Sequence, residues 1–291
     1  MNLREIVVIS GKGGTGKTTL TASFAAVADE RRILADGDVD APNLALLLHP
    51  RETEQHPFWG MAVAHVDPEG CTGCGKCEDC CRYKAIHVAE GMALVDRSFC
   101  EGCRSCIQIC PEQCISLNTF QRGIIKRGET DQGPLWHARL TPGGENTGLL
   151  VALLRREARK EAEKTGVQLI IVDGPPGIGC PVTSSITGAD FAVIVTEPSK
   201  SSLSDLRRAA ELCGILSTPF GVVVNRWNLS EGLTETIRKA CCEEGWPLLG
   251  TVPFDERIAE AVGEGRIPLS EMGSVLVSLW RSVLETGRLK K

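Results

Sequence analysis

An eight-residue segment near the N-terminus contains the residue types needed to hold nucleotide phosphates. It reads GKGGTGKT from Gly11 to Thr18 and matches the pattern G-x-x-x-x-G-K-[S/T]. Its glycines let backbone N–H groups turn towards phosphate oxygens, and the helix expected to follow adds the positive end of its dipole. We expect Lys17 to reach the β- and γ-phosphates and the Thr18 hydroxyl to bind Mg²⁺. The predicted phosphate-binding residues are Gly11, Gly13, Gly14, Thr15, Gly16, Lys17, Thr18 and Thr19.

A dense block of cysteines is the second chemically distinctive feature. Ten of the 14 cysteines lie between Cys71 and Cys114, and eight of them form two runs of the pattern C-x2-C-x2-C-x3-C, 29 residues apart. Thiolates suit iron–sulfur clusters, and this spacing is typical of two-cluster bacterial ferredoxins, in which the fourth cysteine of each run binds the other run's cluster. The predicted ligands are Cys71, Cys74, Cys77 and Cys110 for one [4Fe–4S] cluster, and Cys81, Cys100, Cys103 and Cys106 for the other.

Structural zinc is the alternative interpretation of this block. Zinc sites usually pair two short C-x2-C hooks across a longer loop, whereas three cysteines follow in succession here. Arg82 departs from the ferredoxin pattern, because a proline commonly follows the fourth cysteine. Cys80 and Cys114 are additional, and Cys80 could compete with Cys81. For Cys180, a resemblance to dinitrogenase reductase implies a cluster ligand near a dimer interface, and the alternatives are a reactive thiol or a small buried hydrophobic residue.

Alternating strands and helices are predicted to position these groups. Apolar runs without alternation, such as residues 169–172, indicate strands of a sheet that is covered on both faces. The predicted strands span 6–9, 32–35, 167–172, 191–195 and 220–224, and the predicted helices span 17–30, 146–164 and 202–216. The fold class is therefore α/β, with a mostly parallel sheet flanked by helices and an inserted small α+β domain.

The cysteine block marks the predicted domain boundaries. The main domain is expected to comprise 1–62 and 119–291, and the inserted ferredoxin-like domain 63–118. Within the insert, residues 85–95 predict a hairpin that turns at Glu90-Gly91. The sequence does not indicate the path of residues 119–144.

The phosphate loop resembles that of the MinD/ParA/Mrp-type ATPases and of dinitrogenase reductase, because it carries a second lysine, Lys12. In that class this lysine reaches the nucleotide of a partner subunit, so the resemblance implies an ATP-dependent homodimer, or a heterodimer with a paralogue. A solvated loop lysine is the plainer alternative. The acidic segment after the second predicted strand resembles the family's first switch, which implies that Asp38 positions the attacking water and Asp36 lies near Mg²⁺. Lys12, Lys17 and Asp38 are thus the predicted catalytic residues.

Three later segments complete the resemblance. Residues 170–177 resemble the family's Walker B strand and second switch, which implies that Asp173 holds Mg²⁺. Asn225 and Arg226 match the adenine-reading segment, and Pro253 and Asp255 match the loop on the other side of the base. Asn and Pro-Asp are also common where strands end in turns, so these two segments are weaker than the others when taken alone.

Composition excludes several other classes of protein. The net charge of −5 gives no reason to expect nucleic-acid binding. No apolar stretch is long enough to span a bilayer and no export signal is visible, so a cytoplasmic protein without membrane binding is expected. MinD proteins end in an amphipathic helix that binds a membrane. The apolar stripe of residues 275–284 is instead expected to pack on the core.

Together these features predict an iron–sulfur protein that binds and hydrolyses ATP. A nucleotide-switched dimer would couple ATP, with Mg²⁺ and two [4Fe–4S] clusters, to electron transfer or metallocluster assembly on a partner protein. One alternative is a MinD/ParA-like spatial organiser with structural clusters. Another is a simple cluster carrier with transferable iron at Cys180 or Cys114.

Overall fold

The computed structural model describes residues 3–141 and 147–288, which form two compact units. The larger unit comprises residues 3–55, 125–139 and 147–288. The smaller unit comprises residues 56–124 together with Leu140 and Thr141. The predicted helix start at residue 146 and the tail 289–291 lie outside the described residues.

The elements alternate along most of the chain. The strands are β1 (Arg4–Ser10), β2 (Arg32–Asp36), β3 (Arg51–Trp59), β4 (Val63–Val66), β5 (Ile86–Ala89), β6 (Met92–Val95), β7 (Ile115–Asn118), β8 (Gln121–Thr130), β9 (Gly133–Leu140), β10 (Leu169–Pro176), β11 (Phe191–Thr196), β12 (Phe220–Asn225) and β13 (Leu248–Val252). The helices are α1 (Lys17–Val27), α2 (Leu44–Leu48), α3 (Lys76–Asp79), α4 (Ser105–Ile109), α5 (Thr147–Thr165), α6 (Cys180–Ile186), α7 (Ser202–Ile215), α8 (Glu231–Glu243), α9 (Glu256–Gly263) and α10 (Leu269–Arg288).

A nine-stranded sheet has the order β13-β12-β11-β1-β10-β2-β9-β8-β3. The pairs from β13 to β9 are all parallel, which confirms the predicted α/β fold with a mostly parallel sheet. Because all strand ends of one kind meet at one edge of a parallel sheet, the residues that follow β1, β2, β10 and β12 come close together.

The prediction missed β3, β8 and β9, which extend this sheet beyond β2. Leu135 of β9 lies opposite Leu34 of β2 in parallel register. These strands lack a continuous apolar run, and β3 (RETEQHPFW) is exposed along almost its whole length. Strand β3 pairs with the distant β8 and β9 with the distant β2, while β8 and β9 are separated by only two residues. The local hydrophobic pattern therefore does not indicate these strands.

The core of the larger unit lies around the central strands. Val7, Val8 and Ile9 of β1 are completely buried, as expected for a strand with neighbours on both sides and helices over its faces. Helix α10 contacts α1, and the rings of Trp280 and Phe24 lie 5.4 Å apart between centroids. The prediction that the stripe of residues 275–284 packs on the core is therefore confirmed.

The smaller unit is built from two copies of one motif. Strands β4 and β7 pair antiparallel, as do β5 and β6, and each copy contributes one short helix, α3 or α4. The elements of the second copy follow those of the first by 29 residues. The predicted hairpin is confirmed, with positive φ angles at Glu90 (53°) and Gly91 (77°) in its turn.

No helix among residues 3–141 and 147–288 combines the length and the apolar character needed to cross a bilayer.

Candidate functional site

The loop between β1 and α1 can be formed only with glycine at two of its positions. A Cβ at Gly16 would lie 2.3 Å from Nδ2 of Asn225, and the φ angle of Gly16 is 85°. A Cβ at Gly11 would lie 2.6 Å from the carbonyl oxygen of Asp205. Any side chain at these positions would push the loop away from the strand and helix that support it.

A cavity of about 580 Å³ opens over this loop. The Thr15 hydroxyl points into buried space and, within the described part of the chain, has no hydrogen-bond partner. An unpartnered buried hydroxyl is costly, and a phosphate oxygen would satisfy it. The predicted residues that line the cavity are Gly13, Gly14, Thr15, Gly16, Lys17, Thr18, Thr19, Asp38 and Arg226.

Lys17 is buried beneath the loop among carboxylates. Its Nζ lies 2.9 Å from Oδ1 of Asp173 and 3.3 Å from Oδ2 of Asp38. Burial alone would lower the pKa of Lys17, but Asp173 and Asp38 outweigh it and the pKa is raised. Lys17 is therefore a fixed ammonium beside Asp173 of β10, positioned to exchange a carboxylate for a phosphate.

Asp36 and Asp38 have environments that disfavour their ionised forms. Asp36 is completely buried at the end of β2, and its carboxylate accepts hydrogen bonds from the backbone N–H groups of Asp38 and Leu44. Burial, followed by the neighbouring Asp173, raises the pKa of Asp36 well above its usual value. Burial also raises the pKa of Asp38, although Lys17 opposes this shift.

Within this group, Thr18 and Asp173 fit Mg²⁺, which proteins usually bind through one or two side chains together with water and phosphate oxygens. Asp36, Asp38 and Asp173 bring three carboxylates together with one ammonium, so the group carries excess negative charge when ionised. The Thr18 hydroxyl donates a 2.6 Å hydrogen bond to Oδ2 of Asp173, which brings two oxygen ligands to one place. Oxygen ligands of this kind suit Mg²⁺, and the cation would offset the charge.

Lys12 projects away from the loop cavity. Its Nζ forms an ion pair with Glu197 (2.8 Å) and a hydrogen bond with Ser199 (2.7 Å), both of which follow β11. Lys12 is therefore not the solvated loop lysine of the plainer alternative. Glu197 also pairs with Arg226, at 3.2 Å, so one carboxylate holds two of the predicted site residues.

A second cavity, of about 290 Å³, lies beside the first. The predicted base-contacting residues Asn225, Arg226, Pro253 and Asp255 all line it. The Asn225 amide, however, donates to the carbonyl oxygen of Thr15 at 2.8 Å and accepts from the backbone N–H of Arg226 at 3.0 Å. In this structure Asn225 thus ties β12 to the phosphate loop, and its contact with a base stays a prediction.

Sequence reasoning missed several residues of these cavities. Phe254, Ile258 and Met272 supply an apolar wall to the second cavity. The sequence signal for this wall was an aromatic residue, Phe254, directly after Pro253 of the predicted base-contacting loop. Glu197 and Ser199 line neither cavity but bind Lys12. Their signal was weaker: polar residues directly follow the apolar strand β11 at the edge where such sites form.

The motif cysteines surround two cavities in the smaller unit. We call them the first and second cysteine cavities, and each encloses about 20 Å³. The first cavity is lined by Cys71, Cys74, Cys77, Cys110 and also Cys114, and the second by Cys81, Cys100, Cys103 and Cys106. Each cavity thus collects three cysteines from one run and the fourth from the other.

Backbone N–H groups point at three of these sulfur atoms. Ala64 and Ala85 donate to Cys100 and Cys81 of the second cavity, both at 3.3 Å, and Ala93 donates to Cys71 of the first at 3.5 Å. N–H groups of this kind stabilise thiolates. Among the described residues, no three His, Cys, Asp or Glu side chains are grouped closely enough to hold a single metal ion.

The remaining cysteines fall into two kinds. Cys213 and Cys241 are buried, and burial raises their pKa values to about 12 and about 11, which makes them unreactive core residues. Cys180 begins α6 and is exposed, as is Cys242. The interpretation of Cys180 as a small buried residue is therefore wrong, because the first turn of α6 leaves its side chain open to solvent.

Comparison with known proteins identifies the family. Residues 6–269 match the family model of the CobQ/CobB/MinD/ParA nucleotide binding domain. The chain is 32% identical over 226 residues to the uncharacterized protein MJ0578 of Methanocaldococcus jannaschii, covering 77% of this chain and 78% of that protein. It is 27% identical over 267 residues to MJ0579 of the same organism, covering 89% of each. The solved structure of the septum site-determining protein MinD from Pyrococcus horikoshii OT3, complexed with Mg-ADP, shares the fold with a TM-score of 0.55 at 20% identity, covering 99% of each chain. The phosphate loop, the parallel sheet that supports it and the match over most of the chain show that this protein belongs to the CobQ/CobB/MinD/ParA family of P-loop ATPases.

Proposed function

We propose that this protein is a nucleotide-switched ATPase whose smaller unit is a ferredoxin-like module with two [4Fe–4S] clusters. The observation that carries the proposal is the division of the eight motif cysteines between two cavities, three from one run and one from the other. Two-cluster ferredoxin runs bind their clusters in this crossed way. The thiolates of a single zinc site would lie within about 4 Å of one another, given Zn–S bonds of about 2.3 Å. In the part of the chain that the structure describes, no three of these cysteines are grouped in that way.

The nucleotide is proposed to be Mg·ATP in the two cavities of the larger unit. Lys17 would contact the β- and γ-phosphates, while Thr18 and Asp173 would hold Mg²⁺ with Asp36 nearby. Asp38 would orient the attacking water, since it lies beside Lys17 at the phosphate end of the site. The MinD structure with Mg-ADP supports this assignment, because it has the same fold.

Two lysine contacts are the proposed switch. Binding of ATP would draw Lys17 from Asp38 towards the phosphates, which frees the segment after β2 to move. In a dimer, Lys12 would exchange Glu197 for the nucleotide of the second subunit. Hydrolysis would reverse both exchanges, so the dimer would persist only while ATP is intact.

The output of the switch is proposed to be electron delivery to a partner protein, or assembly of its metallocluster. When bound, [4Fe–4S] clusters supply one-electron transfer at a potential set by their surroundings. A complete phosphate-binding loop and a complete set of cluster thiolates in one chain favour this coupling over two unrelated roles.

Anaerobic purification tests the proposal directly. We expect about eight irons and eight sulfides per chain, and a spectrum of the reduced protein, or a cluster potential, that changes when Mg·ATP is added. Zinc or no metal at the cysteines would refute the cluster assignment. If Mg·ATP changes neither the spectrum of the reduced protein nor the cluster potential, the coupling of ATP to the clusters is refuted.

A spatial organiser of the MinD/ParA type is the second candidate, and the similarity to MinD structures favours it. It predicts cooperative, ATP-dependent binding to liposomes, measured by co-sedimentation. Helix α10 would not be the membrane anchor over its described length, because Leu276, Leu279, Trp280 and Val283 are buried in the core. ATP-dependent co-sedimentation with liposomes, together with redox-inactive clusters, would favour the spatial organiser over electron delivery.

A further inference from the structure

The two cysteine cavities differ by one thiol. Four cysteines line the second cavity, but five line the first, and the additional one is Cys114. The other additional cysteine of the block, Cys80, directs its thiol to the carbonyl oxygen of Cys77 at 3.4 Å and lines neither cavity. The first cavity therefore contains one thiol more than a four-iron cluster requires.

Cys114 is held beside one of the proposed ligands. Its Sγ lies 3.5 Å from Sγ of Cys110, and its side chain is only 9% exposed. Its carbonyl oxygen accepts a 2.8 Å hydrogen bond from the N–H of Asp67. A Cβ at Gly70 would lie 3.0 Å from that of Cys114, so the absence of a side chain there leaves room for the thiol. Packing thus fixes Cys114 at the cavity wall.

The internal repeat provides a natural comparison for this position. Residue 85 precedes residue 114 by the repeat length, and the N–H of Asp96 bonds to the carbonyl oxygen of Ala85 at 2.8 Å, as Asp67 does to Cys114. Ala85 is completely buried and follows Cys81 by four residues, just as Cys114 follows Cys110. The backbone is therefore the same at both sites, and only the first has a thiol.

We propose that Cys114 is a reserve ligand of the first cluster that can replace Cys110 on the iron. This inference rests on the proposed function, because it requires the cluster. The exchange is a ligand substitution without change in iron oxidation state: the bond from Cys110 to iron breaks, the bond from Cys114 forms, and the proton released by Cys114 is taken up by Cys110. The second cluster has no such reserve at Ala85.

Matched alanine variants test the inference. Alanine is used because a serine oxygen can itself bind iron. In anaerobically purified protein, we expect Cys110→Ala to keep about eight irons per chain and a nearly unchanged spectrum in the reduced state. Cys81→Ala should lose iron from the second cluster, and Cys110→Ala/Cys114→Ala should lose it from the first.

A graft at the second site provides the converse test. Adding Ala85→Cys to Cys81→Ala should restore the lost iron, because it reproduces the arrangement of Cys110 and Cys114. Loss of iron in Cys110→Ala equal to that in Cys81→Ala would overturn the inference, as would aggregation of Cys110→Ala when Cys81→Ala remains soluble. Unaltered protein without iron would instead refute the proposed function, so the two failures are distinguishable.

Discussion

At the scale of residues, the candidate nucleotide site of the larger unit contains charged side chains that pair with one another. Lys17 is the ammonium among the carboxylates of Asp36, Asp38 and Asp173, and the raised pKa values of Asp36 and Asp38 reflect the cost of burying so many acids. Lys12 is held in the same manner by Glu197. These side chains are positioned before any ligand arrives, so a ligand need only exchange partners with them.

Lys17→Ala should lower the rate of ATP hydrolysis by roughly 100- to 1000-fold, because it removes a charged contact to the phosphates. Iron content should not change, since the substitution leaves every cysteine in place. Phosphate release measures the first effect and iron quantitation the second. Lys164→Ala, an exposed lysine near the end of α5, is the matched control. Normal turnover in Lys17→Ala would show that the phosphate loop is wrongly assigned.

His137 should make the larger unit sensitive to acid. Burial lowers the pKa of this β9 histidine, whereas its pKa in the unfolded chain is about 6.5. As the pH falls through 6.5 towards the lowered value, the unfolded state takes up the proton first, so the free energy of unfolding decreases. Urea denaturation at pH 5.5 and 7.5 should show a smaller difference for His137→Phe than for the unaltered protein. The exposed His65→Phe is the control, and an equal difference in all three proteins would contradict the prediction.

At the scale of elements, helix α10 illustrates how an amphipathic stripe acquires its partner. Its apolar residues face the core cluster, which includes Phe24 of α1 and the strands beneath. Stripes of this kind also occur in helices that bind a membrane surface. Because the apolar residues of the stripe are buried, we conclude that α10 packs on the core.

Trp280→Ala should reduce the free energy of unfolding by about 3–5 kcal/mol, because it leaves a cavity against Phe24. The half-exposed Val277 of the same helix is the control, and Val277→Ala should change stability by no more than about 0.5 kcal/mol. Chemical denaturation measures both. A Trp280→Ala protein as stable as the control would mean that α10 does not contribute to the core.

At the scale of the whole molecule, Lys12 is the residue through which we propose that the chain contacts a second copy of itself. The family resemblance assigns this lysine to the partner's nucleotide, and in this structure Glu197 and Ser199 hold it. Lys12 therefore has two alternative partners, one within the chain and one proposed across a dimer.

Lys12→Ala should still bind ATP but should remain monomeric with it, because the contact across the dimer is lost. Sedimentation velocity with a non-hydrolysable ATP analogue tests this, with nucleotide binding measured separately. Lys239→Ala, an exposed lysine on α8, is the control and should dimerise as the unaltered chain does. A Lys12→Ala variant that dimerises normally would argue that this lysine serves only its own subunit.

The local motifs could be predicted from the sequence because their chemistry depends on the spacing of residues that are close together in the chain. The glycines and Lys17 of the phosphate loop, the two cysteine runs, the central strands and the hairpin at Glu90 belong to this class. Lys17 needs only its neighbours in the loop to be recognised, since a strand before it and a helix after it define the motif.

Tertiary structure alone decided which distant groups meet. The bonds of Lys12 to Glu197 and of Asn225 to Thr15 depend on packing between segments that are distant in the sequence. Strands β3, β8 and β9 were not predicted because they lack an apolar run of their own. Strand β3 pairs with the distant β8 and β9 with the distant β2, while β8 and β9 are neighbours across only two residues. Sequence by itself thus determined the chemical groups that this protein carries, and only the fold determined which of them act together.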